Sequence, residues 1–460
     1  MKRREFLRYA AAGAAAATLT RGVRAAETPA RKPNVIVLLT DDQRHDTIHV
    51  LGNDVIQTPT LDALCAAGTA FTRAYIMGGN QGAVCVPSRA MVLTGRTLWR
   101  AASSVATASL WPEVFQKAGY ATFGTGKWHN GPASYARCFG GGGTIFFGGM
   151  SDHLKVPIHD FDPAGQYPKD AARTGEKFSS ELFSDTAIRF LREYKDSRPF
   201  FLYVAYTAPH DPRMPPGKFA ALYPPEKMPL PKNFSPEHPF DNGELNVRDE
   251  MLAPHPRTPG VVQKHIADYY GMISHLDAQI GRVLAALDET GRAGDTIVIF
   301  AGDNGLALGQ HGLFGKQSVY EHSVRVPLIL RGPGVPAGER REAFAYLFDI
   351  FPTVCEVAGV PAPDTVEGKS LMPVLKDKSA RVRDTVFTAY RDFQRSVRDE
   401  RYKLIKYAVK GERRTQLFDL VEDPWEMKDL SAEPGHAGQL AALEARLREW
   451  QKQTGDTLEA

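Results

Sequence analysis

Cysteine is scarce in this chain of 460 residues. Its four cysteines are too few for a disulfide framework, and no C-x-x-C pair indicates a zinc site. We expect Cys65 and Cys355 to be core residues, because each lies in an apolar helical stretch. The glycine-rich segment 139–150 lacks the G-x-G-x-x-G spacing of a nucleotide-binding loop. The sequence therefore supports neither a disulfide-stabilised nor a dinucleotide-binding protein.

An excess of basic charge is also missing once the N-terminal segment is set aside. The formal net charge is +3, but residues 1–25 hold six basic residues and one acidic residue. That segment contributes +5 and leaves the rest of the chain at −2. No global basic field remains to attract nucleic acid, so an anionic substrate must be bound by local cations.

The first 25 residues have the features of a twin-arginine signal peptide. Residues 3–8 match the pattern R-R-x-F-L-K/R, an alanine-rich stretch follows, and residues 23–25 offer a cleavage site. The apolar stretch is too short and too rich in alanine to span a membrane. We expect export by the twin-arginine machinery of a bacterium to the periplasm or the medium, without a stable membrane anchor.

Two continuous apolar runs each end in polar side chains. Residues 34–39 and 296–300 show no alternation, which is the pattern of strands covered on both faces. The polar residues that follow these runs are Asp41, Asp42, Asp303 and Asn304. A solvated turn is the ordinary explanation of an Asp-Asp pair, but it is less attractive directly after a buried strand. Ligands bind at the carboxyl ends of strands in open α/β sheets, so we expect these side chains to meet there. Such an all-oxygen set favours a hard cation, and calcium tolerates irregular geometry better than magnesium.

Helices are predicted between the strands. Thr58 and Pro59 are suited to the cap and first position of one helix. Residues 263–287 carry the longest helical stripe of apolar side chains. Buried strands alternating with helices indicate the α/β fold class.

Residues 85–96 read C-V-P-S-R-A-M-V-L-T-G-R. Pro87 suits the first turn of a helix, whose N-terminus favours an anion, and Arg89 adds a permanent cation. A lone cysteine before a helix is usually a core residue. The whole pattern, C-x-P-S-R followed by four residues and T-G-R, resembles the signature of the sulfatase family in the alkaline phosphatase superfamily.

Three further segments resemble the same family. They are G-K-W-H with Lys127 and His129, the P-H pair with His210 after the apolar strand 200–206, and D-N-G…L-G-x-H-G…K with His311 and Lys316. Lys127 and His129 are two residues apart and share a face in extended backbone. The Asp-Asp pair at residues 41–42 matches the family's first metal-binding pair.

The resemblance implies an α/β fold with a large mixed and mostly parallel sheet sandwiched by helices, and it also implies a mechanism. A formylglycine-generating maturation enzyme would convert Cys85 to formylglycine, whose aldehyde hydrate is the nucleophile. One calcium ion would be held by Asp41, Asp42, Cys85, Asp303 and Asn304. The implied catalytic residues are Cys85, Arg89, Lys127, His129, His210 and Lys316. The implied contacts to the sulfate group are Lys127, His210 and Lys316, with His311 as a secondary candidate. His210 or Lys316 would protonate the leaving alcohol, and His129 would take the proton whose removal expels sulfate.

The chain is predicted to have two folded parts. Residues 31–365 would form the catalytic domain, and residues 366–460 read as strands, turns and a closing helix. By resemblance this smaller C-terminal α+β subdomain is an antiparallel sheet with a helix beside the active-site face. Residues 211–260 contain 12 of the 32 prolines, which indicates an insertion that walls the substrate pocket. Arg213, His238 and Arg248 are weak candidates there for substrate contact.

The predicted function is an exported sulfatase that hydrolyses sulfate esters of a sulfated small molecule or glycan, for the degradation of polysaccharide. Two alternatives stay open. One is hydrolysis of phosphonate monoesters or phosphodiesters by the same nucleophile. The other is non-catalytic binding of a sulfated glycan, because a Cys85 that is never modified cannot release sulfate. The sequence does not identify the sugar.

Overall fold

A computed structural model describes residues 32–101 and 105–458. The predicted signal peptide at residues 1–25 lies outside these ranges. Within them, every helix is too short or too polar to cross a membrane.

The strands and helices of the described residues are numbered here in chain order. The strands are β1 (Asn34–Thr40), β2 (Thr69–Phe71), β3 (Ala74–Tyr75), β4 (Gly78–Gly79), β5 (Ala121–Lys127), β6 (Gly141–Phe146), β7 (Pro157–Ile158), β8 (Arg173–Thr174), β9 (Phe200–Ala205), β10 (Thr296–Gly302), β11 (Arg325–Val326), β12 (Leu328–Arg331), β13 (Glu339–Arg341), β14 (Ala345–Tyr346), β15 (Val386–Tyr390), β16 (Gln394–Arg398), β17 (Tyr402–Val409) and β18 (Glu412–Asp419). The helices are α1 (Pro59–Ala67), α2 (Cys85–Thr94), α3 (Trp111–Lys117), α4 (Pro132–Cys138), α5 (Ser179–Glu193), α6 (Gly217–Ala220), α7 (Pro259–Glu289), α8 (Glu321–Val324), α9 (Ile350–Ala358), α10 (Met372–Lys376) and α11 (Ala437–Thr454).

The main sheet has eight strands in the order β13-β2-β12-β10-β1-β9-β5-β6. Strand β1 pairs in parallel with β10 on one side and with β9 on the other, while β12 runs antiparallel to β10. The register places Thr40 beside Gly302, so the chain leaves both strands at the same level. The predicted mixed, mostly parallel sheet is confirmed, and its central strands deliver Asp41 and Asp303 to one edge.

Helices cover both faces of this sheet, which explains the absence of alternation in β1. Its odd-numbered apolar residues enter a core shared with α2, α3 and α9, and its even-numbered ones enter a core shared with α1, α5 and α7. The longest predicted helix is confirmed as α7, which begins four residues earlier than its apolar stripe. Cys65 and Cys355 are buried in these cores, as expected.

The capping prediction for Thr58 is wrong. Helix α1 does begin at Pro59, but the Thr58 side chain makes no capping hydrogen bond. Instead the Asp277 carboxylate, from α7, accepts the N–H groups of Thr60 at 3.0 Å and Leu61 at 2.8 Å. A distant carboxylate thus satisfies the first amides of α1, which a local pattern cannot reveal.

The predicted C-terminal sheet and helix are confirmed. Strands β15 to β18 form antiparallel pairs, and α11 follows them. Strand β4, which precedes α2, adds to this sheet in parallel with β15. Gly78 has φ +89°, and an added Cβ would lie 1.9 Å from the Ala389 carbonyl oxygen, so this pairing requires glycine. Residues from Pro33 onward form one compact unit, and the boundary near residue 365 stays a prediction.

Candidate active site

Cys85 is the first residue of α2 and is almost completely buried. Its Sγ lies 3.3 Å from Nδ1 of His129 and 3.7 Å from Nζ of Lys127. Burial raises the pKa of the Cys85 thiol, although the ammonium groups of Lys127 and Lys316 oppose the shift. The unmodified side chain is therefore a thiol and not a thiolate, which makes it a weak nucleophile.

The four oxygen-bearing side chains expected at the sheet edge do converge. Carboxylate oxygens of Asp41, Asp42 and Asp303 lie within 4.8 Å of one another. Oδ1 of Asp303 accepts the Asp42 N–H at 3.0 Å, and Nδ2 of Asn304 donates to Oδ1 of Asp42 at 2.7 Å. Oδ1 of Asp41 and Oδ1 of Asn304 are buried without a hydrogen-bond donor. Buried oxygens without donors, on residues that adjoin three carboxylates, are an arrangement that a hard cation satisfies.

Each of the three carboxylates is paired with a buried cation. The pairs are Arg89 Nε with Asp303 Oδ2 at 2.7 Å, Lys127 Nζ with Asp41 Oδ2 at 2.5 Å, and Lys316 Nζ with Asp42 Oδ1 at 2.7 Å. Arg89 also donates to the Lys127 carbonyl at 3.1 Å. Because charges of both signs balance here, a divalent cation would leave the cluster positive and suited to an anionic ester.

The pKa values of this cluster reflect its crowding. Burial and the neighbouring Asp41 carboxylate raise the pKa of Asp303 to about 6. Burial also works to raise the pKa of Asp41, but Lys127, His210, Arg89 and Lys316 together hold it well below its usual range. Since adjacent carboxylates disfavour each other's ionisation, additional positive charge at this edge would stabilise the fully ionised set.

His129 is placed to act as a base toward residue 85. It follows β5, and its side chain and that of Lys127 both contact Sγ of Cys85. Burial, together with the Lys127 ammonium group, lowers the pKa of His129 to about 3. A neutral imidazole is the form that can accept a proton.

His210 approaches the same edge from the end of β9. Its Nε2 lies 3.5 Å from Oδ2 of Asp42, and its Nδ1 lies 2.8 Å from the Asp211 carbonyl oxygen. The buried ring of His153 lies with Nε2 2.9 Å from the His210 carbonyl oxygen. The geometry therefore brings together Cys85 and its five predicted catalytic partners.

Comparison with protein families agrees with this geometry. The model of the sulfatase domain matches residues 33–360, and a second model, described as N-sulphoglucosamine sulphohydrolase, C-terminal, matches residues 309–453. The chain belongs to the sulfatase family. As a sulfatase, it is a sulfuric ester hydrolase of the α/β class.

Individual relatives of this sulfatase cover most of its length. The N-acetylglucosamine-6-O-sulfatase of Bacteroides thetaiotaomicron is 27% identical over 480 residues, which is 88% of this chain and 82% of that protein. A protein solved in complex with its substrate D-glucosamine-2-N,6-O-disulfate superposes with a TM-score of 0.78 at 24% identity, covering 93% and 99% of the two chains. The phosphonate monoester hydrolase of Agrobacterium radiobacter gives 0.75 at 22% identity, covering 92% and 96%. These two superpositions establish the fold alone.

The structure gives His311 partners outside this cluster. Its ring stacks on Tyr320 at 4.2 Å, and its Nε2 lies 3.1 Å from Nδ2 of Asn233. Among the described residues, His311 makes no hydrogen bond or ion pair with Cys85 or with its predicted catalytic partners. Lys316, five residues further along the same segment, does reach Asp42. A substrate contact by His311 stays a prediction.

Sequence reasoning assigned no supporting role to Tyr269 or Asp211, and it offered Arg248 only as a weak candidate for substrate contact. Tyr269 lies on α7, and its hydroxyl donates to the Asp42 carbonyl oxygen at 2.5 Å and accepts the Arg44 N–H at 2.9 Å. Asp211 and Arg248 are ion-paired beside His210. The position of Asp211 directly after His210 was the only signal available.

The proline-rich segment of this sulfatase lies beside the catalytic edge and also lines a separate space. Residues 229–233 border a cavity of about 630 Å³ together with Arg44, Tyr270 and Trp425. Cys85 is not among the residues that line this cavity. That the segment walls the substrate pocket therefore stays a prediction.

Proposed function

We propose that this sulfatase removes sulfate from a sulfated carbohydrate, with formylglycine at position 85 and one calcium ion. The observation that carries the proposal is the position of Cys85, whose Sγ contacts Lys127 and His129 while Lys127 is paired with Asp41. Residue 85, a cation and the oxygen cluster are thus joined by direct contacts. The sugar substrate is supported by the relative named as an N-acetylglucosamine-6-O-sulfatase.

The residues present fit calcium. Asp41, Asp42, Asp303 and Asn304 would hold it together with the modified side chain at position 85. The unsatisfied oxygens of Asp41 and Asn304 and the all-oxygen donor set support this assignment. When bound, calcium would supply Lewis-acid polarisation of a sulfate oxygen.

Side chains of the protein would supply the nucleophile, the hydrogen bonds to the sulfate group and the proton transfers. The hydrated aldehyde formed from Cys85 would supply the hydroxyl that attacks sulfur. Lys127, Lys316 and His210 would donate hydrogen bonds to the sulfate oxygens, where negative charge develops. His210 or Lys316 would protonate the leaving alcohol. His129, neutral and next to position 85, would take the proton whose removal releases sulfate.

Maturation and export follow from the same proposal. A formylglycine-generating enzyme would have to reach residue 85 before the buried site closes. The twin-arginine route, inferred from residues 3–8, carries folded proteins, so this modification would be completed before export to the periplasm or the medium.

Mass analysis and a paired assay test the proposal. Trypsin should release residues 74–89 as one peptide, whose mass should show the thiol of Cys85 replaced by an aldehyde. The purified protein should hydrolyse an aryl sulfate and release sulfate from sulfated monosaccharides, whereas Cys85→Ala should do neither.

The two alternatives give different results. Faster turnover of matched phosphonate or phosphate esters than of the sulfate ester would favour the phosphonate hydrolase. An intact thiol in protein produced with the maturation enzyme, combined with binding of sulfated glycan and no turnover, would favour a non-catalytic binder.

A further inference from the structure

The side of the His210 ring that faces away from Asp42 lies against the ion pair of Asp211 and Arg248, and this pair has no role in the proposed reaction. Nδ1 of His210 lies 2.8 Å from the Asp211 carbonyl oxygen and 3.3 Å from Oδ1 of the same residue. Both terminal nitrogens of Arg248 donate to the Asp211 carboxylate, one of them to Oδ1 at 2.9 Å. This gives the chain of contacts Arg248–Asp211–His210–Asp42.

Burial differs along this chain of contacts. The side chain of Asp211 is 5% exposed and that of His210 is 7% exposed, whereas that of Arg248 is 45% exposed. A buried carboxylate is costly unless it is paired, and here the partner comes from the proline-rich segment, 37 residues away. The proline-rich segment therefore supplies Arg248, whose side chain reaches inward from the surface to the Asp211 carboxylate. On its other side this carboxylate lies next to the ring of His210.

The contacts fix the orientation of the ring. With Nδ1–H donated to Asp211, the opposite nitrogen Nε2 must face Asp42 and the space at the sheet edge. The bidentate fork of Arg248 fixes the carboxylate, and with it the position of the residue that follows His210. The Nδ1 atom of His210 is thus held by the main-chain carbonyl of Asp211 at 2.8 Å and lies 3.3 Å from its carboxylate, and a histidine held at one nitrogen by such partners keeps one orientation.

We propose that Asp211, clamped by Arg248, is a positioning residue that directs Nε2 of His210 to the leaving oxygen of the sulfate ester. This inference rests on the proposed function. As the bond between sulfur and the ester oxygen breaks, that oxygen takes the bonding electrons and the proton from Nε2 and leaves as an alcohol. Lys316 is less suited to this step, because its ammonium group is already paired with the Asp42 carboxylate at 2.7 Å.

Leaving-group dependence tests the role. The purified, formylglycine-containing enzyme is assayed with aryl sulfates whose phenols range from strongly to weakly acidic. Proton donation matters most for the weakly acidic phenols. Asp211→Ala and Arg248→Met should therefore lower kcat about tenfold or more for those substrates, with little change for the most acidic phenol and in KM. Arg248→Lys keeps the charge without the fork and should fall in between.

A matched control is a surface ion pair whose carboxylate, that of Asp241, lies in the same proline-rich segment. Lys410 pairs with Asp241 at 2.7 Å on the surface, and Lys410→Met should leave the leaving-group dependence unchanged. Equal slowing of all substrates by Arg248→Met, in protein with an unchanged melting temperature, would overturn the inference and leave the sulfatase assignment intact. An unmutated enzyme without activity on any sulfate ester would instead overturn the proposed function.

Discussion

At the scale of single residues, the catalytic edge concentrates oxygens that lack hydrogen-bond donors. Oδ1 of Asp41 and Oδ1 of Asn304 are both buried, and a buried acceptor without a partner costs about 1–3 kcal/mol. Nε of Arg89 donates to Oδ2 of Asp303 at 2.7 Å, whereas Nη2 of Arg89 is also buried without a hydrogen-bond partner. The two unsatisfied oxygens belong to residues that would hold the cation, so a cation there would bring both catalytic charge and stability.

Removal of calcium should accordingly destabilise the fold as well as stop turnover. Calcium at about 100 times its Kd adds about 2.7 kcal/mol to the free energy of unfolding, which a chelator should remove. Calorimetry of separate samples with chelator, with calcium and with magnesium measures this change in stability as a shift of the melting temperature. Asn304→Ala serves as the control variant and should lose most of the calcium-dependent rise. A melting temperature that is the same with chelator and with calcium would contradict the assignment of the site.

At the scale of elements, the carboxylate of Asp277 on α7 accepts hydrogen bonds from the first turn of α1, and its burial disfavours its ionisation. Burial raises the pKa of Asp277 to about 6, although the N–H groups of Thr60 and Leu61 work to lower it. The unfolded chain has a pKa of about 3.9 at this position. Because the folded value is the higher one, ionisation penalises the folded state, starting as pH rises above about 4 and reaching the full penalty above about 6.

Asp277→Asn should therefore change the pH dependence of stability. The shift corresponds to about 3 kcal/mol, and Asn keeps a hydrogen-bond acceptor without the charge. Relative to this variant, the unmutated protein should lose stability between about pH 4 and pH 7. Urea unfolding of both proteins at the two pH values measures the difference, and other titrating groups cancel in the comparison. A difference that is the same at both pH values would contradict the raised pKa.

Strands and helices that have a local sequence pattern could be predicted from the sequence, whereas contacts between residues far apart in the sequence could not. The continuous apolar runs of β1 and β10 are sufficient to predict buried strands, and the carboxyl ends of parallel neighbours lie at the same edge of a sheet. The residues that gather there could thus be inferred, with the family pattern supplying their roles. No local pattern shows that Gly78 pairs with the C-terminal sheet, or that Arg248 reaches Asp211. His311 carries a matching motif, yet its contacts depend on the packing of Tyr320.

At the scale of the whole molecule, buried charges join the C-terminal sheet to the rest of the chain. Lys403 on β17 lies 3.1 Å from Oε1 of Glu321, which begins α8, and 2.7 Å from Oε1 of Glu426. Arg398 on β16 reaches Oε2 of Glu321 at 3.0 Å and the Tyr75 hydroxyl at 2.6 Å. Since β4 also belongs to that sheet and precedes Cys85, loosening of the sheet would reach Cys85 along the backbone.

Lys403→Met should show that this connection is structural. The change leaves Glu321 and Glu426 without their shared cation, and breaking a buried pair costs about 3–5 kcal/mol. Lys406→Met is the matched control, because Lys406 lies on the same strand but pairs with Glu444 near the surface, where a pair contributes about 1 kcal/mol or less. Urea unfolding followed by far-UV circular dichroism should give one transition for both variants, shifted strongly only for Lys403→Met. Two separate transitions would mean that the C-terminal sheet folds independently of the rest of the chain. Equal shifts would mean that the buried pairs of Lys403 stabilise the protein no more than the pair of Lys406 does.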